Sequence, residues 1–176
     1  MVFVPVAGSI KKRVSVSLDR RGKERKMVVV FAGRGHDRID LDLSSIHKAP
    51  ETKGGIVVRG VLRDCASARV RGLIRIEKNA KKSEDSMEGR VLLIGDKAKV
   101  DISPYLEIKN DDVKASHAVT VGVPDQEQLF YLRSRGLSEE QAVGLLVDGF
   151  LGQSVAGQQD KRVGLECGRV KKYALG

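Results

Sequence analysis

Tryptophan is absent, aromatic residues amount to 4% of the chain, and only two cysteines and four prolines occur in 176 residues. With so few aromatics the core has to be built from valine, isoleucine and leucine, which pack well on pleated surfaces and point to β structure. The same scarcity speaks against a single-strand nucleic-acid binder, which stacks bases on aromatic platforms. Cys65 and Cys167 lie far apart and follow no secretory signal, so free thiols in a reducing cytoplasm are expected, not a disulfide framework. No apolar run is long enough to cross a bilayer, and MVFVPVAGSI (1–10), short and without a basic leader, reads as a first strand. Also missing are a Walker sequence, a GxSxG elbow, and any local CxxC, HxxH or HExxH spacing among His36, His47, His117 and the cysteines. Their absence argues against a nucleotide site of its own, a serine hydrolase and a self-contained zinc site.

Charge, by contrast, is plentiful. The formal net charge is +9, with both signs mixed along most of the chain and denser basic clusters at Lys11-Lys12-Arg13 and from Arg20 to Lys26. The second cluster separates two strand-like runs and reads as a solvated turn. The surplus leaves one alternative function open, a basic β module for polyanions or nucleic acid, although no recognition helix is evident.

Period-two alternation recurs in RVSVSL (13–18), RIDLDL (38–43), KAKVDI (97–102) and YLEIKN (105–110), each a strand with one buried face. MVVVFA (27–32), GIVVRG (55–60), SARVRGLIRI (67–76) and RVLLIG (90–95) are more continuously apolar and suit deeper burial. Residues 1–122 therefore read as almost all β: a sandwich, a barrel or a parallel β-helix, with VRG at 58–60 and 70–72 hinting at stacked rungs. The polar stretch EKNAKKSEDSMEG (77–89) is expected to leave the regular stack as a mobile excursion. AGRGHD (32–37) is a tight turn in which Asp37 accepts backbone hydrogen bonds, and Asp111-Asp112 mark another turn.

After Pro124 the period changes. Asp125 caps a short helix that Gly136 stops, and Ser138 with Gln141 has the spacing of a capping box. In the second helix Ala142, Leu145, Leu146, Gly149 and Phe150 form one apolar face, and Gly144 and Gly149 suggest close packing against another surface. Beyond Gln153 the periodicity weakens, and an extended or frayed tail is expected. This gives a β core over 1–122, a helical segment over 123–152 and a tail over 153–176.

The run LLIGDKAKVDISPYLEIKNDDVKASHAVTVGVPDQEQLFYLRSRGLSEEQAVGLLVDGFL (92–151) resembles the carboxy-terminal core of the SufB/SufD family of SUF iron–sulfur cluster assembly, in order and almost without gaps. GVLRDCASARVRGLIRI (60–76) resembles one of that family's rungs. The resemblance implies a mostly β fold, a right-handed parallel β-helix followed by a small C-terminal helical segment. It also implies a non-catalytic, SufD-like scaffold subunit that pairs with a SufB-like subunit or with a second copy of itself. Such a subunit docks a SufC-like ATPase and helps form a transient iron–sulfur cluster at the subunit interface.

The family histidine in the motif K-C-S-H-G-A-T-V-G falls on His117, which makes it the candidate cluster or metal ligand. Ala115 replaces that motif's cysteine, Ala118 stands where family members carry glycine or glutamate, and Gly89 aligns with a SufB-type acceptor cysteine. Cys65 is a secondary thiol candidate, with a buried apolar cysteine as its plainer reading. The implied docking positions are Leu129, Tyr131, Arg135, Gly136, Leu145, Leu146 and Phe150.

Overall fold

The computed structural model describes residues 1–152 and 161–175 and, among these, nine strands followed by three helices. The strands are β1 (Val2–Ala7), β2 (Ile10–Leu18), β3 (Glu24–Gly33), β4 (Arg38–His47), β5 (Lys53–Arg63), β6 (Ser67–Ile76), β7 (Glu84–Ile94), β8 (Lys99–Ile108) and β9 (Lys114–Gly122). Odd strands form one sheet in the order β1-β3-β5-β7-β9 and even strands a second, β2-β4-β6-β8, with every pairing parallel. The chain thus winds through about four turns of a parallel β-helix, the architecture that the resemblance implied.

Alternation explains which side chains fill the interior. Along β4, Ile39, Leu41, Leu43, Ser45 and His47 are buried, while the residues between them are half-buried on the outer face. Glycine makes room where two large side chains intrude: a methyl at Gly60 would collide with the Phe31 ring, and one at Gly72 with the Met87 thioether. The chain turns at corners that carry a left-handed residue, Gly8, Gly35, Asp64 and Gly95 on one side and Gly22, Glu51 and Lys82 on the other. Glycine supplies that conformation without strain. The VRG repeat falls on β5 and β6, neighbouring strands of opposite sheets and not stacked rungs.

Two expectations give way. In the expected excursion over 77–89, β7 already begins at Glu84 and buries Asp85 and Met87, so the irregular part is shorter. Outward Glu84, Ser86 and Glu88, with an acid on the inward face, hide the strand period there. The tail expected to be extended or frayed is, over 161–175, a helix; 153–160 and 176 lie outside the described residues. Helices α1 (Gln126–Ser134) and α2 (Glu139–Gly152) precede α3 (Lys161–Leu175). On α3, Val163, Cys167, Val170 and Ala174 are buried, with Cys167, Val170 and Ala174 joining a second core of Val28, Val30, Ala32 and Val61 from the odd sheet and Val147 and Leu151 from α2. Gly164 and Gly168 lower the intrinsic helix preference of this segment, so burial on the sheet decides its conformation.

Both caps read from the sequence are in place. Asp125 accepts from the Glu127 N–H at 2.9 Å, and Ser138 and Gln141 exchange hydrogen bonds at 2.8 and 3.1 Å. The apolar face of α2 is divided, however. Ala142, Val147 and Leu151 face the core, whereas Leu145 and Gly149 are exposed and no described residue approaches Gly149 closely. Gly144 makes ordinary contact with Leu175.

Candidate functional site

Strands β8 and β9 are the last of their sheets. Register carries the inward column Asp85, Met87, Gly89, Val91 of β7 onto Ala115, His117, Val119 and Val121 of β9. On the facing sheet, the inward column of β6 continues into Val100, Ile102, Pro104, Leu106 and Ile108 of β8. With no further rung over them among the described residues, Leu106, Ile108, Val119 and Val121 are 36–46% exposed. Exposed His117 therefore stands on an apolar end face of the β-helix. The outer edge of β9 adds to this: Lys114–Gly122 carries no proline and a charge at its first residue, leaving a row of backbone donors and acceptors available to another strand. On β8, Pro104 interrupts the corresponding row.

A neutral imidazole can ligate a metal through either ring nitrogen. Ala115, Ala118 and Gly89 share this end of the β-helix with His117 but bring no ligating side-chain atom. Among the described residues no group of three His, Cys, Asp or Glu gathers to hold a metal. Closing a coordination sphere around His117 would therefore take ligands from beyond the described residues. Cys65 is not brought there: it lies half-buried in the corner between β5 and β6, its N–H donating to the Gly35 carbonyl at 2.9 Å. Cys167 is buried under α2, and burial pushes its thiol up, away from the reactive thiolate form.

The helical end is a second exposed apolar region. Helix α1 has no buried residue, and Phe130 is 74% exposed. Tyr131, Leu132, Leu145 and Leu146 line a cavity of about 600 Å³ with Asp125, Glu127 and Gln128. Phe150, Val123 and Leu92 extend it beside Leu145 and Leu146. Of the remaining expected docking positions, Leu129 is half-buried, Arg135 caps α1 and lies 5.2 Å from the Tyr131 ring centroid, and Gly136 has φ 94° and ends the helix. Arg135 and Gly136 thus shape the surface that Tyr131 and Leu145 present.

Helix α3 ties this end to the β-helix. Tyr173 donates to Asp37 at 2.8 Å, Arg34 lies 4.7 Å from the Tyr173 ring centroid, and Arg63 donates to the Ala174 and Leu175 carbonyls at 3.2 Å. Burial alone would raise the Asp37 carboxyl, but the Arg34 N–H, the Tyr173 hydroxyl and Ser9 together hold it below its ordinary value. The same hydrogen bond raises Tyr173.

Much of the charge is paired. Arg21 meets Glu51 at 2.6 Å and Lys23 meets Asp19 at 2.7 Å, while Arg71 bridges Asp40 and Asp42 and Arg75 meets Glu107 at 2.7 Å. Alternating signs across the outer faces weigh against a continuous polyanion track. Sequence reasoning also missed an interior polar cluster of Ser45, His47, Thr52, Ser83 and Asp85. Its signal lay in the alternation of RIDLDLSSIH, which puts Ser45 and His47 on the inward parity.

Residues 6–150 match the family model described as SUF system FeS cluster assembly, SufBD core domain. The chain is 41% identical over 128 residues to the iron–sulfur cluster assembly protein SufD of Bacillus subtilis, covering 73% of this chain and 29% of that protein. It is 34% identical over 148 residues to an iron–sulfur cluster assembly SufBD family protein of Mycobacterium tuberculosis, covering 84% of this chain and 17% of that one. A SufBD family protein of Staphylococcus saprophyticus matches at 34% over 136 residues, or 77% and 29%. The chain thus spans less than a third of the length of these relatives.

Proposed function

The chain belongs to the SufBD core-domain family, and from that membership we propose that it is a non-catalytic, SufD-like scaffold subunit in SUF-type iron–sulfur cluster assembly. The observation that carries the reading is the open end of the β-helix, where an unprotected strand edge and an apolar face surround His117. The end face of β8 and β9 pairs with a SufB-like subunit or with a second copy of this chain. His117 contributes one ligand to a transient cluster held across that interface, and the partner supplies the thiolate and carboxylate that Gly89, Ala115 and Ala118 do not. Helices α1 and α2 dock a SufC-like ATPase through Leu129, Tyr131, Leu145, Leu146 and Phe150, with Arg135 and Gly136 setting the turn between them. ATP hydrolysis then belongs to the docked subunit, and α3 transmits its motion to the sheet. We assign the chain a cytoplasmic location, as the SUF-type role implies; among the described residues no helix is long and apolar enough to cross a membrane.

Copurification tests the docking. The chain, coexpressed with its cognate ATPase and β-helix partner, is expected to retain the ATPase, and Leu145→Asp to lose it while keeping the partner. Failure of the wild-type chain to retain the ATPase with the partner present removes the docking role.

A further inference from the structure

The cluster inside the β-helix occupies the corner where the even sheet passes into the odd one. Ser45 and His47 lie at the end of β4, Asp85 near the start of β7, and Thr52 and Ser83 in the loops before β5 and β7. His47, Thr52 and Ser83 are fully buried and Asp85 nearly so. His47 Nε2 lies 2.7 Å from Asp85 Oδ2, and Nδ1 lies 2.7 Å from Thr52 Oγ1. Ser45 donates to the same Asp85 oxygen, while Asp85 Oδ1 is buried without a partner among the described residues. Thr52 Oγ1 lies 3.1 Å from the Ala49 carbonyl and 2.8 Å from Ser83 Oγ; when its one proton goes to the carbonyl, Thr52 accepts from His47 and Nδ1 carries a proton, which is the arrangement the proposal takes. An ionised Asp85 beside an uncharged ring would leave a buried, half-satisfied negative charge, which is costly. A further proton between Nε2 and Oδ2, on either atom, makes the pair neutral.

We propose that His47 and Asp85 form a one-proton lock: while the pair holds that proton the corner stays closed, and its loss releases β7 and, with it, the terminal strand β9. Asp85 is in register with Ala115, two residues before His117, so the lock sits directly behind the open end. Control of partner pairing by the lock rests on the function proposed above, whereas the lock itself does not.

Lys53, Glu84 and Lys114 line a cavity of about 580 Å³ with Asp85, and these are the charged groups nearest the pair on its outer side. Leu18 and Ile76 flank His47 in β2 and β6, and Gly54 and Ala115 flank Asp85. A methyl at Gly54 would collide with the Asp85 carboxylate. Outward neighbours Glu84 and Lys114 pair with each other at 3.1 Å, Lys53 lies 3.9 Å from Glu24, and exposed Arg25 donates to the Glu24 carbonyl. Opening separates the two side chains and exposes them to water, so the shared proton is given up more readily from the opened corner than from the locked one, and opening is favoured as pH rises.

Amide hydrogen exchange of β7 and β9 in the whole chain without partners, corrected for intrinsic exchange, tests this between about pH 6 and pH 9. The opening constant should rise by up to about tenfold per pH unit, and the His47→Gln/Asp85→Asn double variant should lose that slope. Equal slopes in the two proteins would overturn the lock. Nitrogen-15 resonances of the His47 ring give a reading that needs no variant: a protonated Nδ1 near about pH 6 is expected, and a bare Nδ1 overturns the assignment. Neither measurement involves a partner, so a failed lock and a failed scaffold role are told apart.

Discussion

The two ends of the β-helix are built differently. At the amino-terminal end Val4, Val6, Val16 and Leu18 are at most 9% exposed, Val2 and Val14 are half-buried and Ile10 is 38% exposed, while Pro5 breaks the donor row of β1 and Lys11-Lys12-Arg13 line β2. Proline and clustered cations are common devices for keeping a strand edge from pairing. At the other end β9 has neither device beyond Lys114, and its inward valines are half open to solvent. The same repeating unit thus carries edge-guarding residues on β1 and β2 and almost none on β9. That asymmetry, more than any cluster of polar groups, favours the end carrying His117 as the proposed interface.

The sharpest way to break the comparison is the same substitution at both ends. Val4→Asp puts an unpaired carboxylate into the core and should cost about 4 kcal/mol or more, read as a lost or strongly lowered unfolding transition. Val119→Asp, already exposed, should change stability by less than about 1 kcal/mol. It should instead weaken association with the β-helix partner by about a hundredfold, seen by analytical ultracentrifugation or titration. Equal destabilisation by the two changes would erase the distinction between the ends.

A smaller effect is expected where the helices join the guarded end. Tyr173→Phe removes the hydroxyl that donates to Asp37 and should cost about 1 kcal/mol of stability, measured by denaturant unfolding. The pH dependence has a definite sign. Because the Asp37 carboxyl is held below its unfolded value, its contribution is present above that unfolded value and is lost as pH falls through the folded one. Protection of α3 amides should therefore fall on acidification, and less steeply in Asp37→Asn; identical acid profiles would remove Asp37 as the anchor.

The β core was legible because aliphatic alternation needs no long-range information: each run from RVSVSL to RVLLIG overlaps an observed strand, although KAKVDI and YLEIKN, read as two strands, are parts of the single strand β8. Parallel winding was not legible from period alone, since a sandwich gives the same alternation, and it came from the ordered resemblance over 92–151. Helix α3 was missed because Gly164 and Gly168 weaken local preference, while its apolar positions gain their stability from Val28, Val30 and Val61, remote in sequence. Similarly, the inward His47 and Asp85 are joined by register between distant rungs, not by any local motif. His117 could be singled out by its resemblance, but only the missing next rung shows that it stands on an apolar end face.

The smallest expected effect on folding is also the one that bears most directly on the proposed interface. His117 is exposed and, among the described residues, its side chain has no hydrogen-bond or ion-pair partner that would be lost on truncation, so His117→Ala should shift stability by less than about 0.5 kcal/mol. If the imidazole is one ligand of a shared cluster, the same change should weaken apparent metal affinity roughly tenfold, equivalent to about 1.4 kcal/mol. Anaerobic reconstitution of the assembled subunits, followed by iron and sulfide analysis, measures that difference. Equal loading of wild-type and His117→Ala assemblies would leave the end face as a pairing surface alone, since Val119 and Val121 provide its apolar contact without the histidine. Reduced loading with unchanged partner affinity would place the imidazole at the cluster and separate its chemical contribution from the adhesion around it.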